Sequence, residues 1–360
     1  MDGMKEQMEE QVLTEENQED MQSIEESQEP VAAVIRQAEN TFSKLGLMFL
    51  AGSAMVYAAQ LLVNMIVERV NPALMDNVTI SLLLSVASLY LVGMPILILL
   101  VKKIPGQAPE KRKMKAGQFV LALIMCYTVM YLSNFVGTII TAIIGAVKGQ
   151  PVDNALMEIA TNANMGVTFV YMVICAPIME EYVFRKLIVD RTARYGQGVA
   201  IFVSGLMFGL FHGNLSQFVY ATTLGMFFAF LYIKTGKLKI TIALHMFINF
   251  MGAVVSVLVL KAVRYEELLE ISASANPDEL MNFVMNNLGG WLIYILYICL
   301  IFGAVIAGIV LFIVFRKRFF LVPGEVQLPK EKRFGTIFLN FGMAAYCLFW
   351  IGMIIVQLIQ

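Results

Sequence analysis

Histidine is almost missing from this 360-residue chain, which has two, His212 and His245. Charge is scarce as well: 15% of the residues are Asp, Glu, Lys or Arg, against about 25% in an ordinary soluble domain. That shortage excludes a water-soluble globular protein of this length, and no nucleic-acid partner is expected. The four cysteines, Cys126, Cys175, Cys299 and Cys347, are widely spaced in apolar sequence. They show no paired metal-ligand pattern and read as small apolar helix residues. A basic start followed by an apolar run is missing, so no signal peptide is expected. The ~10-residue alternating segments of a membrane β-barrel are missing too. No internal repeat is evident, which weighs against a secondary transporter, since many are built from duplicated halves.

What the chain does have is apolar length. It is 59% hydrophobic, with a mean hydropathy of +0.73. Several runs approach the ~20 residues that a helix needs to cross the bilayer's hydrocarbon. Nine apolar segments are predicted, at about 45–67, 78–101, 118–147, 164–189, 197–213, 215–234, 239–261, 290–315 and 335–358. Those at 197–213 and 215–234 are short and separated only by Gly213-Asn214, so they form a tight hairpin or one broken helix. The fold class is therefore all-α, a polytopic transmembrane bundle of eight or nine spans embedded in the lipid bilayer.

Charge is also uneven. Residues 1–40 hold 12 acidic and two basic residues, and the rest 15 acidic and 24 basic. The segment 1–40 reads as an acidic, disordered or loosely helical cytosolic tail. Every second loop after it is basic. Lys102, Lys103, Lys111, Arg112, Lys113 and Lys115 follow the second segment; Arg191 and Arg194 the fourth; Lys234, Lys237 and Lys239 the sixth; Arg316, Lys317, Arg318, Lys330, Lys332 and Arg333 the eighth. Lys/Arg bias in short loops sets orientation. The N-terminus is thus expected in the cytoplasm and, with nine spans, the C-terminus outside. The expected organisation is an acidic tail (1–40), two helices and a basic loop (41–117), a core (118–261), an external amphipathic loop over the outer mouth (262–289) and C-terminal helices (290–360).

Three polar constellations interrupt the apolar sequence. Ionisable residues there cost roughly 2.5–3.5 kcal/mol each on insertion scales, which makes them functional-site candidates. In Glu180-Glu181-x-x-x-Arg185, Glu181 and Arg185 are one turn apart and can pair. Glu180 then points elsewhere, either into the bundle as a desolvated general base or into an interfacial salt-bridge cluster. In Phe208-x-x-x-His212 the ring can wall the imidazole, which is either a packing residue or part of a site. The helix break at Gly213 favours a site, because irregular backbone at membrane depth lines a cavity or is covered by protein. In His245-x-x-x-Asn249 both side chains share a face, and the Asn bonds a histidine, another helix or a reacting oxygen. Counted along the helices from the basic loops, Glu180 lies ~16 Å deep, His212 ~22 Å and His245 ~9 Å. A polar cavity open toward the cytoplasmic side could hold all three if the helix ends shift by a turn.

These motifs, in this order on consecutive membrane helices, resemble those of the CAAX prenyl protease and bacteriocin-processing (CPBP, or Abi) family of intramembrane proteases. The resemblance covers roughly residues 118–261. It implies that Glu180 is the catalytic glutamate, that His212 helps it activate water, and that His245 and Asn249 stabilise the tetrahedral oxyanion. Glu181 belongs to the same catalytic group, with Arg185 and Phe208 supporting. The cofactor stays open between none and one zinc ion held by Glu180, His212 and His245. No His-Glu-x-x-His helix is present. The expected function is an intramembrane endopeptidase of CAAX-type or leader-peptide processing, acting on a peptide or membrane-protein substrate, in a bacterial plasma membrane. The alternative is a non-catalytic scaffold or immunity protein of the same fold.

Overall fold

The computed structural model describes residues 2–152, 155–274 and 276–359, with side chains from residue 31 onward other than 155–158. Every regular element among them is helical. The principal helices are α1 (Asp2–Val70), α2 (Val78–Val101), α3 (Ala116–Lys148), α4 (Met165–Tyr195), α5 (Gln197–Phe211), α6 (Leu215–Thr235), α7 (Leu238–Ala262), α8 (Leu288–Val314) and α9 (Phe341–Ile359). In α1 the apolar part is Val31–Val70; this and the others except α5 are long and apolar enough to cross a membrane, eight among the described residues. With its 15 residues, α5 reaches only about 22 Å. The side chains of the acidic segment before residue 31 lie outside the described residues. Packing in α1 begins by Ala38, which is fully buried, well before the first apolar run read from the sequence.

Two apolar clusters organise the bundle. One joins α1 (Phe42, Phe49), α2 (Leu97), α4 (Phe184, Ile188), α5 (Met207, Phe208) and α9 (Tyr346). The other joins α3 (Met125, Cys126), α6 (Phe228, Leu231) and α7 (Leu244, Ile248). Lipid tails are as apolar as leucine, so burial alone does not hold such helices together. Close backbone approach and interhelical hydrogen bonds do. Along α5, Gly205 and Gly209 sit against α6, where a Cβ on Gly209 would run into the Thr222 hydroxyl and the Phe218 carbonyl. The turn between the two helices needs Gly213, whose φ is +65°. Buried hydroxyls add cross-links: Ser204 donates to the Phe184 carbonyl at 2.8 Å, and Tyr346 to that of Met207 at 2.8 Å.

The basic connections assemble on one face. The Gln107 amide donates to the Asp190 carbonyl at 2.7 Å, and the Arg112 amide to that of Thr235 at 2.8 Å. The Val326 amide donates to the Arg194 carbonyl at 3.0 Å, and Lys234 Nζ to that of Phe320 at 2.6 Å. The alternation of basic loops read from the sequence is thus a real sidedness, and it requires α5 to count as a traverse of the bundle. On this face Asp190 is clamped by Lys186 (2.6 Å) and the Tyr232 hydroxyl (2.9 Å). At the opposite end the amphipathic connection forms two short helices, Tyr265–Ser274 and Pro277–Asn286, with Phe283 buried.

Candidate active site

The backbone of α4 is unusual where its polar residues fall. Pro177 supplies no N–H and cannot complete the α-helical ladder. Wide π-helical turns occupy Phe169–Cys175 before it and Glu181–Val189 after it. Such turns are frequent at functional sites. Here they carry Glu181 and Arg185 at the place where α4 meets α5, α6 and α7.

Glu181 and Arg185 pair as the spacing predicts, with Arg185 Nη2 3.2 Å from Glu181 Oε1 and both side chains fully buried. The guanidinium lies over the Phe208 ring of α5 at 4.4 Å and the Phe228 ring of α6 at 5.4 Å. The same carboxylate oxygen lies 3.0 Å from His245 Nδ1. A carboxylate only accepts, so this nitrogen carries the hydrogen, and Glu181 fixes the orientation of the imidazole. Nε2 of His245 faces Glu180 at 3.7 Å, beyond hydrogen-bond distance. Glu180 is the open member of the pair: 22% of its side chain is exposed, against none of Glu181 and 5% of His245.

Phe208 is the hub of the group. Its ring meets His212 edge-on at 4.8 Å and His245 at 5.9 Å. His212 Nδ1 lies 2.8 Å from the Phe208 carbonyl, which can only accept. The hydrogen therefore sits on Nδ1, and the lone pair of Nε2 stays available. The sequence-predicted residues Glu180, Glu181, Arg185, Phe208, His212 and His245 thus form one group. Asn249 is engaged elsewhere: its Nδ2 donates to the Met172 carbonyl on α4 at 2.8 Å, between two helices. One of its two amide hydrogens is spent there.

The depths read from the sequence needed correcting for α7. That helix begins beneath the basic face, because the 102–115 loop lies over the turn at 235–237, with Gly236 packed against the Glu110 backbone. This brings His245 level with Glu181. Phe228 was missed: its ring lies 5.3 Å from that of His245, but nothing sets it apart among 25 phenylalanines. Also missed was the polar run Asn214, Gln217, Tyr220 beside His212, although a glutamine in an apolar segment was a usable signal.

Among the described residues no group of three or more His, Cys, Asp or Glu side chains is placed to hold an ion. His245 Nδ1 is committed to Glu181, and the Phe208 ring borders both imidazoles.

An all-helical membrane bundle with adjacent glutamates, one buried and one partly open, and two histidines is the class that fold and site define. Residues 162–251, which hold all three motifs, match the family described as type II CAAX prenyl endopeptidase Rce1-like. The chain is 28% identical over 148 residues to the membrane-embedded CAAX protease MroQ of Staphylococcus aureus, covering 39% of this chain and 57% of that one. It is 34% identical over 80 residues to the putative membrane peptidase YdiL of Bacillus subtilis, covering 21% and 32%. It is also 34% identical over 100 residues to human CAAX prenyl protease 2, covering 22% and 30%. The resemblance implied by the motifs is borne out over that segment, and the chain spans between about a third and somewhat over half the length of these relatives. No solved structure matches the chain.

Proposed function

We propose that the chain is an intramembrane endopeptidase in which Glu180 activates the attacking water. The observation that carries this reading is the division of labour between adjacent carboxylates. Glu181 is locked by Arg185 and His245, while Glu180 is partly open and lies 3.7 Å from His245 Nε2. Water bound at Glu180 gives up a proton to the carboxylate as its oxygen attacks the peptide carbonyl carbon. His212 orients that water. The second amide hydrogen of Asn249 stabilises the developing oxyanion, as does His245 when its Nε2 also carries a hydrogen. The proton held by Glu180 then passes to the leaving amine nitrogen as the C–N bond breaks. No step needs a metal.

The relatives' names supply the substrate class, a protein C-terminus of CAAX type; leader-peptide processing uses the same chemistry. The Lys/Arg excess of the basic face supports a cytoplasmic orientation for that face and for the N-terminus. A non-catalytic scaffold has no use for a half-open carboxylate held apart from its neighbour. Glu180→Ala, His212→Ala and His245→Ala, tested singly, are each expected to abolish cleavage while the protein stays folded. Retained cleavage in all three refutes the reading.

A further inference from the structure

His212 caps α5, the place where a helix is held least. The last carbonyls of a helix have no partner within it, and helix ends fray. Local bonds shape this end. The His212 amide donates to the Gly209 carbonyl at 3.3 Å, and the Gly213 amide to that of Leu210 at 2.9 Å. Asn214 Nδ2 donates to the His212 carbonyl at 3.0 Å. None of these stops the turn from moving as a unit.

The outside support comes from α9, which lies beyond the segment that matches the family. Trp350, buried at 4% exposure, packs under the turn: a Cβ on Gly213 would lie 3.0 Å from its Cζ3 and 3.3 Å from its Cε3. Its ring also meets Phe211 at 5.1 Å. One turn earlier on both helices, the Tyr346 hydroxyl donates to the Met207 carbonyl at 2.8 Å. Residues four apart share a helix face, so α9 follows α5 to its end. Behind Trp350 stand Tyr57 of α1 at 6.1 Å and Phe349 at 5.3 Å, which leave it little room to retreat. From Phe211 the rings continue through Phe184 (5.4 Å) to Phe208 (5.1 Å). The Phe208 carbonyl holds His212 Nδ1, and its ring lies 4.8 Å from that imidazole. The indole N–H of Trp350 makes no hydrogen bond among the described residues. Trp350 therefore acts by the shape of its ring.

We infer that Trp350 is a positioning residue for His212: its ring is the floor under the Gly213 turn and keeps the imidazole on the Phe208 carbonyl, with the hydrogen on Nδ1. The effect on rate rests on the peptidase reading above; the effect on the imidazole does not. Trp350 touches no substrate and acts only through the turn.

The test uses full-length protein in detergent and two readouts. The chain has two histidines, so isotopic labelling of the histidine ring nitrogens shows two imidazoles by NMR, and His212→Ala assigns them by subtraction. The activity probe is a prenylated peptide ending in Cys-aliphatic-aliphatic-X, with fluorophore and quencher on either side of the scissile bond. In wild type, His212 is expected as a single tautomer with its hydrogen on Nδ1. In Trp350→Ala it should become a mixture of tautomers while His245 keeps its signals. At equal folded concentration kcat should fall at least about ten-fold, toward the ~10²-fold loss that follows a 1 Å misplacement, with KM within about two-fold of wild type. Trp350→Phe keeps a flat ring and should hold kcat within about three-fold of wild type, with the His212 tautomer unchanged. If Trp350→Ala does not fold, Trp350→Met carries the test, since it fills much of the space without a flat face and is expected to show the same two losses. An unchanged His212 tautomer in the variant tested, or equal disturbance of His212 and His245, overturns the assignment. Glu180→Gln run beside them separates the two failures. If it still cleaves, the peptidase reading falls and the imidazole signals alone judge Trp350; if it is inactive while the Trp350 variants match wild type, only the Trp350 assignment falls.

Discussion

Replacing Glu181 by Gln keeps the shape of the side chain and removes its charge. Arg185, with no solvent exposure, then has no carboxylate beside it. Removing one partner of a buried ion pair costs about 3–5 kcal/mol, because the other charge is left uncompensated in low dielectric. The Phe208 and Phe228 rings at 4.4 and 5.4 Å do not offset this. A desolvated cation–π contact is worth about 2 kcal/mol, and it is present before and after the change. The deficit therefore stands, and the His245 imidazole also loses its orienting acceptor at 3.0 Å. Reversible unfolding in mixed micelles should show Glu181→Gln destabilised by about 3 kcal/mol or more. The double variant Glu181→Gln/Arg185→Met removes both charges and should recover most of that stability, since a buried pair replaced by apolar groups is often neutral. Cleavage should stay low in both, because His245 has lost its support. A loss below about 1 kcal/mol in the single variant, the range of a solvated pair, would refute the claim that Arg185 depends on Glu181.

Gly209→Leu should separate α5 from α6, since even a Cβ there meets the Thr222 hydroxyl and the Phe218 carbonyl; a cost of several times the ~1 kcal/mol of a typical substitution is expected on unfolding. Asn249→Ala should cost only about 0.6 kcal/mol of stability, the average for an interhelical hydrogen bond in a membrane bundle, yet lower kcat by about 10² if its second hydrogen reaches the oxyanion. Cysteines introduced at Lys113 and Lys317, in connections of the basic face, should label from the same side of oriented vesicles, and one at Asn286 from the other. Dialysis against a strong chelator should leave the cleavage rate unchanged, and loss restored by zinc would count against the metal-free mechanism.

Local spacing made part of the site legible. Glu181 and Arg185 lie one turn apart, and the pair forms even in a π-helical stretch. Phe208 and His212 follow the same rule, and the two glutamates diverge because neighbours on a helix face different ways. Pairings across the bundle were not legible. Glu181 and His245 are 64 positions apart, and nothing local announces that α7 starts beneath a covering loop and so lifts His245 to the glutamates. Asn249 illustrates the same limit: its spacing from His245 placed both on one face, but its donor bond goes to Met172 on α4. The sidedness of the loops was legible because it is a property of composition. The wide turns of α4 were not, although Pro177 marks their position.

The central claim is that Glu180 activates water in a membrane-embedded peptidase. The most direct measurement is the cleavage rate of the quenched prenylated peptide by purified wild-type protein and Glu180→Gln, at equal folded concentration and with chelator present. Wild type should cleave, and Glu180→Gln should be slower by about 10²–10⁴-fold, the range for a lost general base. Cleavage by Glu180→Gln within ten-fold of wild type, with its folded state intact, would contradict the account.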